Sequence, residues 1–377
     1  MENKRPVRLT GLAVVLLVVV VCIVAYFLAT RIVDANVPQL DTAIPIPASS
    51  NHQIEPLGNG LVYYDGSTLH AMDARGRQIW SYPAGAGASF NVSEGGVCTW
   101  SGMKLSLLNR ETGSVLFSGN LNEGNIIDAK LGRAYAAVQV EAENSSNQPL
   151  SDASRAHSSH MLLLDAGGRR VDKIDLLNQT PVDFGFFNAD QLFWVMSLDT
   201  QGTLPICVIR SYKPGRMLNG EVKDEEQTLY TASFQASKIR VAGLKYVKDY
   251  DYYGVERPNS RILVYGWYMT DMDTDENGPT MAFSPVSQTA DVGISDIRVI
   301  RDQQDTRIHL PEQAEQVFVK NGSIYAFSRD RVMILPYGAQ VAQVYGLPMV
   351  IERVIDLTDG HSAIVQSGQN IFLIPLH

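Results

Sequence analysis

A chain of 377 residues with 45% hydrophobic and 19% charged side chains is too apolar for wholesale disorder, and it is long enough for two average domains or one large all-β ring. Its formal net charge of −9 makes nucleic acid and anionic lipid heads poor partners, because an acidic surface repels both.

Residues 1–8 carry Lys4, Arg5 and Arg8 against Glu2 alone, and residues 9–30 hold no charged side chain. At about 1.5 Å per residue that run crosses a hydrocarbon core of about 30 Å as a helix. The reading is a cytoplasmic tail at 1–8 and a transmembrane helix over 9–33. The basic flank keeps the N-terminus inside and puts everything after the helix outside the cytoplasm, in the cell envelope. A cleavable signal peptide is the competing reading, since Val33-Asp34-Ala35 offers small residues, but its apolar region is ordinarily only about 7–15 residues long. The 28 basic and 39 acidic side chains after residue 8 give the outer part a formal balance of −11, which suits solubility. Of the three cysteines, Cys22 falls in the apolar run, while Cys98 and Cys207 sit in strand-like contexts with no CxxC or metal-binding spacing.

Beyond residue 34 a unit recurs. Leu69-His-Ala-Met-Asp73-Ala-Arg-Gly76-Arg-Gln-Ile-Trp80 is followed by Leu105-Ser-Leu-Leu-Asn109-Arg-Glu-Thr-Gly113-Ser-Val-Leu-Phe117 and by Met161-Leu-Leu-Leu-Asp165-Ala-Gly-Gly168. Each reads as strand, Asx-plus-Gly turn, strand: the Asx oxygen binds backbone two residues on, and Gly accepts the positive φ of a tight turn. An apolar strand precedes each copy, as in Gly60-Leu-Val-Tyr-Tyr64. Short strands at a spacing of about 40 residues, with no helical periodicity after the apolar run, predict an all-β, seven-bladed β-propeller of four-stranded blades. The expected blades span 48–83, 87–120, 124–177, 181–234, 238–300, 313–338 and 349–377; eight remain possible because the fifth unit is long. The last unit supplies only three strands, so 34–47 is assigned as linker and closing outer strand, pairing near Thr42 to Ile46. Pro45 and Pro47 suit an edge position, where an N–H can be spared. Residues 141–157 read as an excursion inside the third blade, and 213–227 as a charged, solvated loop.

The string GLVYYDGSTLHAMDARGRQIWSYP resembles the blade repeat of quinoprotein-like (PQQ-like) propellers, in which an apolar-Ala-x-Asp strand, a Gly turn and a Trp-bearing outer strand follow in order. The match is good for the first blade, fair for the next two, and one of pattern afterwards. With its N-terminal anchor the chain looks like the membrane-tethered propeller proteins of unknown function found in Gram-positive bacteria. The resemblance implies fold more than chemistry, since many such propellers bind no quinone and act as scaffolds. The adjacent cysteines and calcium site of quinoprotein dehydrogenases have no counterpart in this chain, so no cofactor is expected.

Candidate sites are few. Asp271, Asp273 and Asp275 could offer alternate oxygens to Ca²⁺, but an EF-hand places Gly sixth and Glu twelfth, where this chain has Glu276 and Ala282. A solvated acidic hairpin tip is the other reading. Tyr250, Tyr252 and Tyr253, with Trp267 and Tyr268 on the next strand, are candidates for partner contact; packing between blades is their alternative. His157 and His160 lack a third metal ligand. Ser101-Gly-Met-Lys104 matches SxxK only formally, in a strand–turn–strand unit with no companion motifs. Trp80, Trp100, Trp194 and Trp267 read as packing between blades. The expectation is a membrane-tethered, non-catalytic scaffold or recognition module for an envelope protein, peptide or glycan. The alternative is a small-ligand sensor or enzyme with its ligand in the central channel.

Overall fold

Runs such as Gly60–Tyr64 and Thr68–Met72 are too short to bury two faces alone, and each finds cover by stacking sheet on sheet. A computed structural model describes residue 19 and residues 37–141, 159–176, 179–187, 190–199, 205–235, 238–275, 278–288 and 292–376. Among these residues the strands form eight antiparallel four-stranded sheets. In blade 1 the order is Gln53–Leu57, Gly60–Tyr64, Thr68–Met72 and Gln78–Pro83. The following blades span 89–120, 126–175, 179–223, 229–263, 267–314 and 316–346 in the same up-and-down order.

Blade 8 takes Arg353–Leu357, Ser362–Ser367 and Asn370–Pro375 from the C-terminus and its outer strand, Ile44–Ser49, from the N-terminus. Ile44 faces Leu373 and Ile46 faces Ile371, so both ends of the chain close one sheet. Pro45 and Pro47 lie on that free edge, where no further strand needs their missing N–H. At five of the eight seams the first strands of neighbouring blades touch one another, which makes the first strands the inner ring around an axis.

The molecule has eight blades, one more than the seven expected. The long fifth unit, 238–300, belongs to two sheets, 229–263 and 267–314. Its periodicity was lost for a physical reason. The outer strand of blade 5 is only Ile262–Leu263, after an eleven-residue connection, whereas blade 6 has strands of up to 11 residues, such as Gln304–Ala314. The stretch 213–227 is likewise no simple loop: Leu218–Lys223 is the outer strand of blade 4, its charged pattern being that of a solvent-facing edge. The expected excursion at 141–157, with His157, lies outside the described residues after Glu141. The apolar run expected to span a membrane, 9–33, also lies outside them apart from Val19. Among the described residues no helix is long and apolar enough to cross a bilayer.

Successive blades are stapled at their outer edges. Trp80, on the fourth strand of blade 1, lies against Gly113 in the turn of blade 2, and its Nε1 donates to the Arg110 carbonyl at 3.1 Å. Phe117 meets Gly168 of blade 3 in the same way, and Ile44 of the closing strand meets Gly76 of blade 1. The Asx residue of each turn sets this up: Asp73 Oδ1 accepts from the Arg75 and Arg77 N–H groups, and Asn109 Oδ1 from those of Glu111 and Thr112.

Candidate functional site

In this connectivity one face of the ring carries the links between blades and the loops between second and third strands. We call it the linker face. Exposed apolar side chains gather on it around blades 5 to 7: Tyr265, Tyr268, Val286 and Val292 are each more than half exposed. Two of them, Tyr268 and Val286, border a groove of ≈ 510 Å³ between blades 6 and 7, within the usual range of about 300–1,000 Å³ for ligand sites. Tyr268 and Thr270, on the first strand of blade 6 (Trp267–Asp275), form one wall with Pro285 and Val286; Val317 and Phe318 of blade 7 form the other.

As in blades 3, 4, 5 and 8, the first strand of blade 6 is interrupted. Its ladder with Gly278–Pro285 breaks between Met269 and Asp271, so Thr270 bulges out of register. The Thr270 hydroxyl turns back to donate to the Ala282 carbonyl at 3.0 Å. Gln288 holds the loop behind Val286: its Oε1 accepts from the Ser295 and Asp296 N–H groups at 2.9 Å each, and its Nε2 donates to Asp296 Oδ2 at 2.8 Å. At the blade 7 side, Arg329 Nε donates to Glu315 Oε1 at 3.2 Å. Tyr268 also leans toward Tyr230 on the first strand of blade 5, ring centroids 6.1 Å apart.

Toward the axis the surroundings are acidic. Glu55, Asp128, Asp271 and Asp356 all stand on first strands, and burial, the dominant cause, pushes each carboxyl above its ordinary range. Mutual repulsion adds to this across the ring: Glu55 feels Asp128 and Asp356, and Asp271 feels Asp356. Lys320 supplies a counter-charge at one side, 3.0 Å from Asp359.

The three carboxylates singled out from sequence lie along the first strand of blade 6, facing blade 7, and not at a solvated tip. Asp271 Oδ2 accepts from the Val319 N–H and Asp273 Oδ2 from the Asn321 N–H, both at 2.7 Å. Asp275 is clasped by Arg301 Nη2 at 2.7 and 2.8 Å. Among the described residues no group of three or more His, Cys, Asp or Glu is arranged to hold a metal ion.

The aromatic candidates divide. Tyr250 is only 5% exposed and its hydroxyl donates to Asp224 Oδ2 at 3.4 Å, inside the seam of blades 4 and 5. Tyr252 packs partly into that same seam, beside an exposed Tyr253. Trp267 is covered by the guanidinium groups of Arg298 and Arg307. Tyr268, 58% exposed, is the one of the five that borders the groove. Sequence reasoning missed Val286, Val317 and Phe318, because a groove between two blades leaves no local motif.

Elsewhere, His160 is buried with Glu123 3.8 Å away, and burial lowers its pKa. Cys98 and Cys207 are free and buried, in blades 2 and 4; burial pushes the Cys207 thiol up to about 11, which makes it a poor nucleophile. Ser101 and Lys104 flank a hairpin turn at Gly102.

No known sequence family and no curated protein matches the chain. Solved structures do. The C-terminal WD40 domain of Sif2 superposes with a TM-score of 0.56 at 12% identity, over 90% of this chain and 99% of that one. The computationally designed Ika8 protein gives 0.53 at 10% identity, over 89% and 98%. BamB from Moraxella catarrhalis gives 0.48 at 12% identity, over 89% and 99%. At such identities the likeness is one of fold, and the chain is similar in architecture to β-propellers.

Proposed function

We propose that the protein is a membrane-tethered, extracytoplasmic recognition module without catalytic activity, which presents the linker-face groove between blades 6 and 7 to a component of the cell envelope. The observation that carries this reading is the groove itself: an open, largely apolar cleft of ≈ 510 Å³ with exposed Tyr268 and Val286 at its border, on a closed ring of sheets. The tether supports the same face. The Leu40 N–H donates to the Gly346 carbonyl and the Gly346 N–H to the Pro38 carbonyl, so the chain enters the ring beside the outer strand of blade 7, at its linker-face end. From the expected end of the anchor at 33 to Val37 the chain reaches at most about 15 Å. Anchorage therefore holds the groove near the bilayer and raises its effective concentration for partners there.

A photo-cross-linking residue at Val286, in living cells, is expected to form one discrete adduct that the same probe at Val115, exposed on blade 2, does not form. Adducts at neither position, or equally at both, would remove the groove as a recognition site. Topology is checked separately. Met217 is 88% exposed, and Met217→Cys is expected to react with a membrane-impermeant maleimide on intact cells; protection until lysis would refute the extracytoplasmic placement.

A further inference from the structure

In an antiparallel pair, alternate residues turn both backbone groups toward the partner strand and the residues between them turn theirs away. The first strand of blade 7, Gln316–Lys320, pairs with Ser323–Phe327 beginning at Lys320 and Ser323, beside a two-residue turn. Lys320, Phe318 and Gln316 therefore bond within the blade, while Val319 and Val317 turn their N–H and C=O away from it, to the free inner edge of the sheet. Asp271 Oδ2 accepting from the Val319 N–H at 2.7 Å fits this direction.

Val317, one rung nearer the linker face, has no such partner among the described residues. Thr270 beside it has spent its hydroxyl on Ala282, and Asp271 is committed to Val319. At two other seams the second residue of the first strand is closed by the preceding blade. Gln53 Nε2 donates to the Phe90 carbonyl at 2.7 Å. Gln316 closes both groups of Val354, accepting from its N–H at 2.7 Å and donating to its carbonyl at 3.2 Å. Val317 is only 5% exposed, at the floor of the groove, so blade 7 offers there an unpaired strand rung, one donor and one acceptor, beneath an apolar cleft.

We propose that this groove binds an extended peptide segment of a protein partner, which pairs its backbone with Val317, sets a large apolar side chain among Tyr268, Pro285, Val286 and Phe318, and turns a Lys or Arg toward the axis. The open rung selects a polyamide over a glycan, because an extended peptide repeats donor and acceptor at strand spacing. Charge complementarity selects the basic neighbour: Asp271 lines the groove, and beyond it around the axis Glu55 is repelled by Asp128 and Asp356, with Lys320 the counter-charge beside Asp356. The inference rests on the recognition reading above and narrows the partner to one form of polypeptide.

The test uses the full chain in detergent micelles and a fluorescein-labelled positional-scanning library of acetylated hexapeptide amides, read by anisotropy. Selection of one large apolar position next to Lys or Arg is expected. N-methylation walked along the selected peptide is expected to weaken binding about tenfold at the position facing Val317, roughly the worth of one backbone hydrogen bond. Val286→Asp weakens it too, and Val115→Asp leaves it unchanged. Failure to select any sequence, or a selected peptide indifferent to both N-methylation and Val286→Asp, overturns the proposal. A discrete adduct at Val286 in cells together with no selected peptide sinks the extended-peptide partner and leaves the recognition module standing; absence of both sinks the two together.

Discussion

Gly113 shows how a single residue ties two blades together. It takes φ +67°, and a Cβ added there would lie 2.6 Å from the Trp80 ring. Gly113→Ala is expected to cost about 3 kcal/mol, combining the left-handed penalty of about 1–2 kcal/mol with the displaced indole. Gly85→Ala, with φ +89° and open space around its Cβ, should cost only the backbone part, about 1–2 kcal/mol, in the same denaturant titrations. Charge at the axis acts in the other direction. A carboxyl whose folded pKa lies above its unfolded value stabilises the fold below the ordinary value of about 4, and that contribution is lost as pH rises through the folded pKa. Glu55 is such a group, with burial as the main cause. Glu55→Gln keeps an oxygen for the Val92 N–H, to which Glu55 Oε2 is hydrogen-bonded at 2.6 Å. It should melt above the parent at pH 7.5, and the advantage should vanish near pH 4. A variant that melts lower at both values would show that the carboxylate is needed for its hydrogen bond more than it is penalised for its charge.

At the scale of elements, blade 5 is held by charge where others are held by length. Its outer strand has two residues, and the connection before it folds back through the Arg257 N–H to the Asp249 carbonyl and the Asp249 N–H to Ser260 Oγ. Beneath it Lys248 Nζ lies 2.9 Å from both Asp224 and Glu226, with the Lys248 and Asp224 side chains only 2% exposed. Lys248→Ala leaves a buried carboxylate unpaired and should cost about 3–5 kcal/mol. Adding Asp224→Asn to Lys248→Met should recover part of that loss, because the neutral amide needs no counter-charge and keeps an oxygen for the Glu226 N–H. The same blade explains what was legible in sequence. Blades 1 to 3 announce themselves because each turns on an Asx and a Gly, as in Asp73 and Gly76, and the first two add an outer-strand aromatic four residues after the Gly, Trp80 and Phe117. Blade 5 has an eleven-residue connection in place of that turn, and blade 6 turns at Asp302-Gln303 with no Gly, so two sheets merged into one apparent unit. The groove was legible only through Tyr268, since its other parts are a bulge at Thr270 and a backbone rung at Val317, neither of which has a side-chain signature.

At the scale of the whole molecule, stability hangs on the sheet shared by the two ends of the chain. Leu40 is buried among Tyr325, Val332 and Leu347 of blade 7 and Ile351, Val354 and Ile374 at blade 8, while Ile46 packs with Ile371 and Leu373 of blade 8 and Leu61 of blade 1. Three strands of blade 8 arrive last in the chain, so a ring that opens here exposes both end blades at once. A cross-link at this seam should therefore act on the ring as a whole. Ser49 pairs directly with Asn370, and the Ser50 N–H donates to the Gln369 carbonyl at 3.1 Å, which places the two backbones at the separation a disulfide needs. The double variant Ser49→Cys with Asn370→Cys closes nearly the entire chain into one loop. Chain entropy then predicts stabilisation of up to about 5 kcal/mol, against about 3 kcal/mol for Lys104→Cys with Asn120→Cys, a pair inside blade 2 that closes a short loop. Native Cys98 and Cys207 are buried and do not compete for either bridge. Oxidised and reduced forms of each variant, melted side by side, decide the matter. Because loop length alone predicts the larger rise for the terminal pair, a slower unfolding rate of its oxidised form is what identifies the closing strand as the place where unfolding begins, and equal melting of its two forms would mean that the ring fails first at another seam.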